Sequence, residues 1–332
     1  MSKSVPAAMN AIVVAGGKGP AEALRVETIP TPQPRPGEIL IAVRAAGVNR
    51  PDLLQRLGAY PPPPGAPDTL GLEVAGEVVR GAGRWQAGDR VCALLGGGGY
   101  AEYAVSDYGR TLPLPAGFSF EQAAVLPVAL HTLHNALITQ GRLKVGESVL
   151  IQGASSGVGL MGLQIARMKG AKPVMGSATN DARRARLKEF GADLAIDTRD
   201  EKWPEAVLAA TGGKGVNLTV DMVSGPGVNQ IMRATAVLGR IVNVGRLDGQ
   251  KAEFDFDLHA MKRIDYIGVT FRTRSVDEVR EIVRLMREDL WDAVTAGKLK
   301  LPIDRTFPLD DAVAAQAHMK ANQHFGKIAL VM

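Results

Sequence analysis

The sequence predicts an α/β protein in which a β-rich amino-terminal domain precedes a doubly wound parallel sheet. The chain has 332 residues, more than one typical hydrophobic core supports, which indicates two domains. From about Glu121 onward, apolar strand-like runs alternate with helix-like runs. Such alternation is typical of parallel strands that crossover helices bury on both faces. The earlier part has short alternating strands separated by proline- and glycine-rich stretches such as "TPQPRPG" and "YPPPPGAP".

The individual elements follow from these patterns in chain order. The amino-terminal part contains strand-like runs at 38–48 and 74–82. The long run 276–297 has helical character, and the end of the chain, 324–332, again has strand-like character. Between them, the predicted strands lie at 148–154, 173–178, 194–198, 216–223 and 240–245, and the predicted helices at 157–171, 182–192, 203–213 and 227–239.

Composition makes several functional classes improbable. The net charge of +5 is modest, and the 39 basic residues are scattered among 34 acidic ones, so we expect no nucleic-acid binding. A single cysteine, Cys92, excludes an internal disulfide and suits a reducing compartment. No window is apolar enough for a membrane span, and the first residues lack the apolar core of a signal peptide. We therefore expect a cytoplasmic protein.

A glycine-rich bend follows the first strand of the alternating part. Gly157, Gly159 and Gly162 have the spacing G-x-G-x-x-G, and the residues after them have helical apolar spacing. Small residues at such a bend allow a pyrophosphate to approach the unpaired amides at the start of the helix. Because a strand precedes this motif and a second strand follows its helix, the sequence predicts a dinucleotide site.

The end of the second strand favours NADP(H) as the dinucleotide. A fold that selects NAD usually has an acidic residue there, which binds the ribose 2′-hydroxyl. This strand ends instead at Ala178, and the nearby Thr179 and Arg183 could hydrogen-bond a 2′-phosphate. Asp181 leaves an alternative open, since its carboxylate could turn back toward the ribose.

Four segments carry a resemblance to a known family. They are "GVNRPDLLQRLGAYPPPPGAPDTLGLEVAGEV" (47–78), "GASSGVG" (153–159), "GVNLTVDMV" (215–223) and "ANQHFGKIALVM" (321–332). With them the chain resembles the zinc-independent quinone oxidoreductases of the medium-chain dehydrogenase/reductase superfamily, especially the branch of the p53-inducible quinone oxidoreductase. The resemblance implies a GroES-like domain at 1–127, completed by 300–332, and a Rossmann-type domain at 128–299.

The same resemblance implies that no metal is bound. Zinc-dependent members have a cysteine ligand where this chain has Asn49, and a histidine ligand where it has Leu72. A single cysteine also excludes a four-cysteine structural zinc site. His131 and His134 form the one close histidine pair, for which a role on a helix surface or at a hinge is a better interpretation than metal binding.

The absence of a metal narrows the substrate class. Hydride transfer to a simple ketone makes an alkoxide, which is costly without a Lewis acid. A quinone or conjugated enone gives a phenolate or enolate, so a neutral hydrogen-bond donor suffices. The resemblance implies that Tyr60 and Asn49 are the catalytic candidates for that role. The structural alternatives are that Tyr60 packs beside the proline run 61–64 and that Asn49 caps a turn, and we expect Glu73 to be a buried, paired carboxylate that supports the site.

The resemblance also implies the remaining cofactor contacts and a homodimer. Thr198 replaces a tyrosine that often lies near the 2′-phosphate. The dimer would form through the edge strand 264–271.

The same motifs also fit an NADPH-dependent enoyl-thioester or alkenal reductase, or a non-catalytic NADPH-binding protein. The implied contacts are Thr132 at the start of a helix, Ser156, Gly157, Val158 and Gly159 at the pyrophosphate, Val244, Gly245 and Phe271 near the nicotinamide, and Asn322 and Lys327 in the tail.

Overall fold

In the computed structural model, which describes residues 5–332, the chain divides into two compact units. One unit contains the chain up to Val128 together with Phe271–Met332, and the other is Ala129–Thr270. The first unit therefore includes the long helix predicted at 276–297, which the boundary at 299 had assigned to the dinucleotide domain. An ion pair helps to explain this difference, because Arg280 of the helix donates to both carboxylate oxygens of Asp107, at 3.0 and 2.7 Å.

The described residues form fifteen strands and ten α-helices. Among residues 5–332, no helix combines the length and the hydrophobicity needed to cross a membrane. The strands are β1 Ala8–Val14, β2 Leu24–Pro30, β3 Glu38–Val48, β4 Glu73–Arg80, β5 Arg90–Leu94, β6 Tyr103–Asp107, β7 Thr111–Pro113, β8 Val149–Gln152, β9 Val174–Ser177, β10 Leu194–Ile196, β11 Val216–Asp221, β12 Thr235–Asn243, β13 Asp265–Gly268, β14 Ile303–Pro308 and β15 Lys327–Val331. The helices are α1 Arg50–Arg56, α2 Phe120–Ala124, α3 Pro127–His134, α4 Gly157–Met168, α5 Asp181–Ala185, α6 Trp203–Ala210, α7 Val228–Ala234, α8 Phe256–Lys262, α9 Val276–Thr295 and α10 Ala312–Lys320.

A seven-stranded sheet forms the framework of the first unit. Its strand order is β14-β15-β3-β4-β5-β7, and β6 pairs with β3 outside this path. Strand β15 pairs antiparallel with β3, with Ile328 opposite Val48, so the end of the chain lies in this sheet. The inward side chains of β3 and β4, including Ile39, Ile41 and Val74, are completely buried and form part of one large apolar core.

The second unit is a doubly wound parallel sheet, which confirms the predicted fold class. Its six strands have the order β10-β9-β8-β11-β12-β13, and each neighbouring pair is parallel. Strand β8 is buried along its whole length, as expected for a strand near the centre of a sheet covered on both faces. Strand β13 lies at one edge, as the prediction for 264–271 required.

Two predicted helices are shorter than expected. The segment predicted as a helix at 227–239 is helical only through Ala234, and Thr235 already lies beside Val216 in the sheet. The predicted helix at 182–192 is reduced to α5, and a short 3₁₀ turn over Leu187–Phe190 follows it. Apolar spacing cannot separate a short helix from an adjoining buried strand, so pairing within the sheet decided both boundaries.

Candidate active site

The glycine-rich bend has the geometry of an anion-binding helix start. Ser156 caps α4, and its hydroxyl oxygen accepts a hydrogen bond from the amide of Gly159 at 3.1 Å. A Cβ atom at Gly159 would lie 2.6 Å from the Cα atom of Ala154, so no larger residue fits there. The amides of Gly157 and Val158 belong to the first helical turn, where N–H groups have no partner within the helix. The bend therefore offers two amides and the positive end of a helix dipole to a phosphate group.

Val244 and Gly245 are fixed at the carboxyl end of β12. Their amides both donate to the carbonyl oxygen of Asp221, at 2.7 and 3.2 Å. Ser224 donates through its hydroxyl to the carbonyl oxygen of Gly245 at 2.8 Å, although its own backbone has a φ of 55° in the left-handed region. A Cβ atom at Gly245 would lie 2.6 Å from the carbonyl oxygen of Met222. These contacts hold the segment rigidly at the edge where open α/β sheets bind their ligands.

A surface depression at the end of β9 brings together the two residues predicted to contact a 2′-phosphate. Thr179 and Arg183 both line it, and Arg199 does so from beyond β10. Arg199 was not among the predicted site residues, although it directly follows Thr198, which departs from the family pattern. The complete lining consists of Thr179, Asn180, Asp181, Ala182, Arg183 and Arg199.

Asp181 is held by two arginines beside this depression. Its Oδ1 atom accepts hydrogen bonds from Arg199 at 2.6 Å and from Arg184 at 3.0 Å. These hydrogen bonds, that of Arg199 first, lower the pKa of Asp181. Asp197 pairs with the same two arginines. The carboxylate that could have turned toward a ribose hydroxyl is thus already paired with guanidinium groups.

In the first unit, three buried polar side chains form a connected cluster. Lys327 donates to the side-chain oxygen of Asn49 at 2.7 Å and to Oε1 of Glu73 at 2.5 Å. The amide nitrogen of Asn49 donates to the same Glu73 oxygen at 2.9 Å. The other oxygen of Glu73 accepts from the backbone amide of Val128 at 2.7 Å. Each charged group therefore has an oppositely charged partner and further hydrogen bonds, as burial requires.

Asp52 and Tyr100 extend this buried cluster. The backbone amide of Asn49 donates to Oδ2 of Asp52 at 2.7 Å, and the hydroxyl of Tyr100 donates to the same atom at 2.9 Å. Both side chains are completely buried. Burial, which disfavours the charged form, raises the pKa of Asp52 to about 7, and the nearby charge of Glu73 adds to the increase. Neither residue belonged to the predicted site, because nothing in the local sequence marks them as neighbours.

The cluster contains two predicted site residues. Asn49 is the residue before α1, is only 4% exposed, and uses both polar atoms of its amide within the cluster. Both polar atoms of the amide thus have protein partners in this conformation, and the catalytic role of Asn49 stays a prediction. Lys327 is 3% exposed and donates to two protein acceptors, and its contact with a cofactor stays a prediction. Glu73 is the buried, paired carboxylate that the sequence analysis expected.

Tyr60 lies in the loop after α1 and is half-buried. The guanidinium carbon of Arg272 lies over its ring, 3.8 Å from the ring centroid. The loop also contains the proline run 61–64, beside which the structural alternative placed the tyrosine. Tyr60 remains a predicted catalytic residue.

The other predicted residues are dispersed over the two units. Thr132 lies inside α3 rather than at its start, which corrects the expectation that it begins the helix. Phe271 is half-buried, and Asn322 is exposed just after α10 with a left-handed φ of 53°. His131 and His134 are fully buried, so the helix-surface interpretation of this pair is wrong. Within residues 5–332, no three His, Cys, Asp or Glu side chains lie close enough together to hold a metal ion.

Comparisons with known proteins agree with both units. Residues 35–116 match the alcohol dehydrogenase GroES-like domain, and residues 157–288 match the zinc-binding dehydrogenase family. The quinone oxidoreductase of Rattus norvegicus is 32% identical over 332 residues, which cover 98% of each chain.

Solved structures show the same similarity over nearly the whole chain. A mycobacterial protein in complex with NADPH superimposes with a TM-score of 0.87 and 26% identity, over 98% of this chain and 100% of the other. The enoyl reductase CurK has a TM-score of 0.85 and 25% identity, over 98% of this chain and 99% of the other. From the matched domains and the full-length similarity we conclude that the chain belongs to the quinone oxidoreductases of the medium-chain dehydrogenase/reductase superfamily.

Proposed function

We propose that the protein reduces quinones and related conjugated carbonyl compounds with NADPH, without a metal. The observation that carries this proposal is the Lys327–Glu73–Asn49 cluster. In zinc-dependent relatives, the position of Asn49 holds a cysteine ligand, whereas here its side chain is bonded to a lysine and a carboxylate. A site built in this way favours acceptors that can be reduced without a Lewis acid.

The residues of the second unit fit a nicotinamide dinucleotide. The amides of Gly157 and Val158 suit the pyrophosphate, and the space at Gly159 admits no Cβ atom. The rigid backbone of Val244 and Gly245 suits a flat ring at the carboxyl end of the sheet. When bound, the reduced nicotinamide supplies a hydride. The resemblance adds Ser156, Thr132 and Phe271 to the residues that we propose to hold the cofactor.

The arginine-lined depression supports NADPH rather than NADH. The planar guanidinium groups of Arg183 and Arg199 can donate charge-assisted hydrogen bonds to a 2′-phosphate. Asp181, the carboxylate best placed to favour NADH, is paired with Arg184 and Arg199. We therefore propose that a 2′-phosphate binds beside Thr179 and that both arginines contribute to the preference.

The proposed acceptor follows from the charge that reduction creates. The pKa of a phenol is lower than that of an alcohol by roughly 5 to 6 units, or about 8 kcal/mol. A phenolate therefore needs far less stabilisation than an alkoxide. Reduction of a quinone to a hydroquinone takes one hydride and one proton. The hydroxyl of Tyr60 can donate a hydrogen bond to the acceptor oxygen, which is the role that we propose for it.

A panel of acceptors tests the proposal. Loss of NADPH absorbance should be measured with several quinones, conjugated enals and enoyl thioesters at the same enzyme concentration. We expect turnover with quinones and a clear preference for NADPH over NADH. Turnover of enoyl thioesters alone would replace the proposal with the second candidate, and no turnover with any acceptor would favour a non-catalytic NADPH-binding protein.

The second candidate, an enoyl-thioester reductase, is favoured by the similarity to CurK. A hydride added to a conjugated thioester also gives a delocalised enolate, so the same residues could serve it. The panel separates the two candidates because both reactions consume NADPH but differ in the acceptor.

We also propose a cytoplasmic homodimer. Cys92 is buried and its pKa is raised mainly by that burial, which suits a thiol that stays reduced. The edge strand β13 is largely exposed and pairs only with β12 among the described residues. An unpaired edge is a natural place for a second copy to add its own strand. Sedimentation of the purified protein would distinguish a dimer from a monomer.

A further inference from the structure

Arg272 connects three separate segments of the first unit. One of its terminal guanidinium nitrogens donates to the carbonyl oxygen of Gly96 at 3.3 Å. The other donates to the side-chain oxygen of Gln55 at 3.1 Å and to the carbonyl oxygen of Tyr60 at 3.2 Å. A single planar group thus bridges the end of α1, the loop after it and the glycine-rich loop after β5. Lysine could not reproduce this pattern, because its ammonium is a point charge without a planar fork.

The same guanidinium covers one face of the Tyr60 ring. A separation of 3.8 Å between the guanidinium carbon and the ring centroid is close stacking, well within the range of a cation–π contact. Burial lowers the pKa of Arg272, but an arginine remains charged in proteins. Arg272 therefore places a positive charge against the ring of Tyr60 and also hydrogen-bonds the backbone carbonyl of Tyr60.

The groups that Arg272 contacts are themselves held by other parts of the unit. Gln55 is buried, and its amide nitrogen donates to the carbonyl oxygen of Asp68 at 3.1 Å, which fixes the oxygen that Arg272 contacts. A Cβ atom at Gly96 would lie 3.0 Å from the Cβ atom of Ala66, so the glycine loop packs directly on the far end of the tyrosine loop. Arg272 therefore connects Tyr60 to a buried glutamine and to a closely packed glycine loop.

We propose that Arg272 is the positioning residue for Tyr60 in the reduction. It holds the phenol ring in one place, and its positive charge favours the negative charge that develops on an acceptor oxygen hydrogen-bonded to the Tyr60 hydroxyl. The proposal deepens the proposed function and depends on it. If Arg272 acts through Tyr60, removing either side chain should remove the same contribution to kcat.

A double-mutant cycle tests this consequence. Arg272→Met keeps most of the side-chain length but removes the charge and the planar fork, and Tyr60→Phe removes only the hydroxyl. We expect each single change to lower kcat by roughly 10- to 100-fold with little change in the KM for NADPH. The double variant should be no slower than the slower single variant. Arg272→Lys, which keeps the charge but not the fork, should lie between Arg272→Met and the wild type.

A matched control and a second measurement make every outcome decisive. Arg284→Met changes an exposed arginine that pairs with Glu281 and Glu288 on α9, and it should leave kcat unchanged. Hydrogen exchange should show faster exchange around Tyr60 in Arg272→Met than in this control. Multiplicative losses in the double variant, or unchanged exchange at Tyr60, would overturn the positioning role even if the wild type reduces quinones. A wild type that turns over no acceptor would instead overturn the proposed function, and the exchange measurement alone would then decide whether Arg272 fixes Tyr60.

Discussion

Lys327 donates to the Glu73 carboxylate at 2.5 Å, and both side chains are buried in the first unit. The pair joins the last strand of the chain to β4, and Asn49 contacts both partners. A buried charge that loses its partner is strongly destabilising, whereas a satisfied pair is tolerated. The pair therefore anchors the last strand of the chain in the buried interior of this unit.

The first prediction concerns that pair. Lys327→Met should lower the free energy of unfolding by about 3 to 5 kcal/mol, because it leaves the Glu73 carboxylate buried without a cation. Chemical denaturation of the purified protein measures this loss. Lys298→Met, which changes an exposed lysine, is the control and should have little effect. If the two variants unfold at the same denaturant concentration, the pair does not contribute as described.

A second prediction concerns Gly47, which lies in β3 against Glu73. A Cβ atom at this position would lie 2.1 Å from Oε1 of Glu73. Gly47→Ala should therefore destabilise the protein by at least about 2 kcal/mol, since the added methyl group would overlap a buried carboxylate that is held by Lys327 and Asn49. Gly268→Ala, in β13, is the matched control, because nothing lies within 4 Å of its added Cβ atom. Equal thermal stability of the two variants would contradict the close packing around Glu73.

The third prediction is a pH dependence that comes from Asp52. Its pKa is raised from 3.8 to about 7 in the folded protein, so the native state holds a proton that the unfolded chain releases. Stability from this group is fully present below about pH 4 and is lost as the pH rises through 7. Between about pH 5 and pH 7, the wild type should lose up to about 1.4 kcal/mol per pH unit relative to Asp52→Asn.

Asp52→Asn is a suitable reference because an amide oxygen can still accept from the Asn49 amide and the Tyr100 hydroxyl. The charged groups of Glu73 and Lys327 face Asp52 in both proteins, so their contributions cancel in the comparison. Denaturation curves across this pH range provide the measurement. Parallel stability profiles for the two proteins would show that Asp52 is ionised in the native state throughout.

The fourth prediction concerns cofactor choice. Arg183→Ala should weaken NADPH binding by about 1.5 to 3 kcal/mol, roughly 10- to 100-fold, with little change for NADH. Arg199→Ala should have a larger effect on the preference, because it also releases Asp181 and Asp197 from one of their partners. Binding constants should be compared at two salt concentrations, since exposed phosphate contacts are screened. Arg186→Ala, which changes an exposed arginine paired with Glu189 in the same segment, is the control. Equal losses for both cofactors would show that the arginines serve only the fold.

Much of the fold could be predicted from the sequence because its signals are local. The strand at 38–48 and the bend at Gly157 and Gly159 follow from apolar runs and small residues, whereas the edge position of 264–271 came from the family resemblance. The helix predicted at 227–239 was partly wrong, since the chain leaves the helix at Thr235 to join the sheet. Pairing with β11 in the folded sheet determines that boundary, and the apolar spacing of the segment does not show it.

The site was predicted less completely, for a related reason. Thr179 and Arg183 lie four positions apart on one segment, and both line the same depression. The partners of Asn49, by contrast, are Glu73 and Lys327, which are far apart along the chain. Arg272 stacks on Tyr60 across 212 positions of sequence. Spacing within one sequence carries no signal for such contacts, so the roles of these residues emerge only from the folded chain.

The rate of NADPH oxidation by a quinone, before and after prolonged treatment with a strong chelator, tests the central proposal most directly. Asn49 and Leu72 stand where zinc-dependent relatives have two metal ligands, and the acceptor that we propose needs no Lewis acid. We therefore predict that the wild type reduces quinones with NADPH at a rate that the chelator leaves unchanged. A rate that falls on chelation and returns with added zinc, or the absence of quinone reduction by any preparation that binds NADPH, would contradict the proposal.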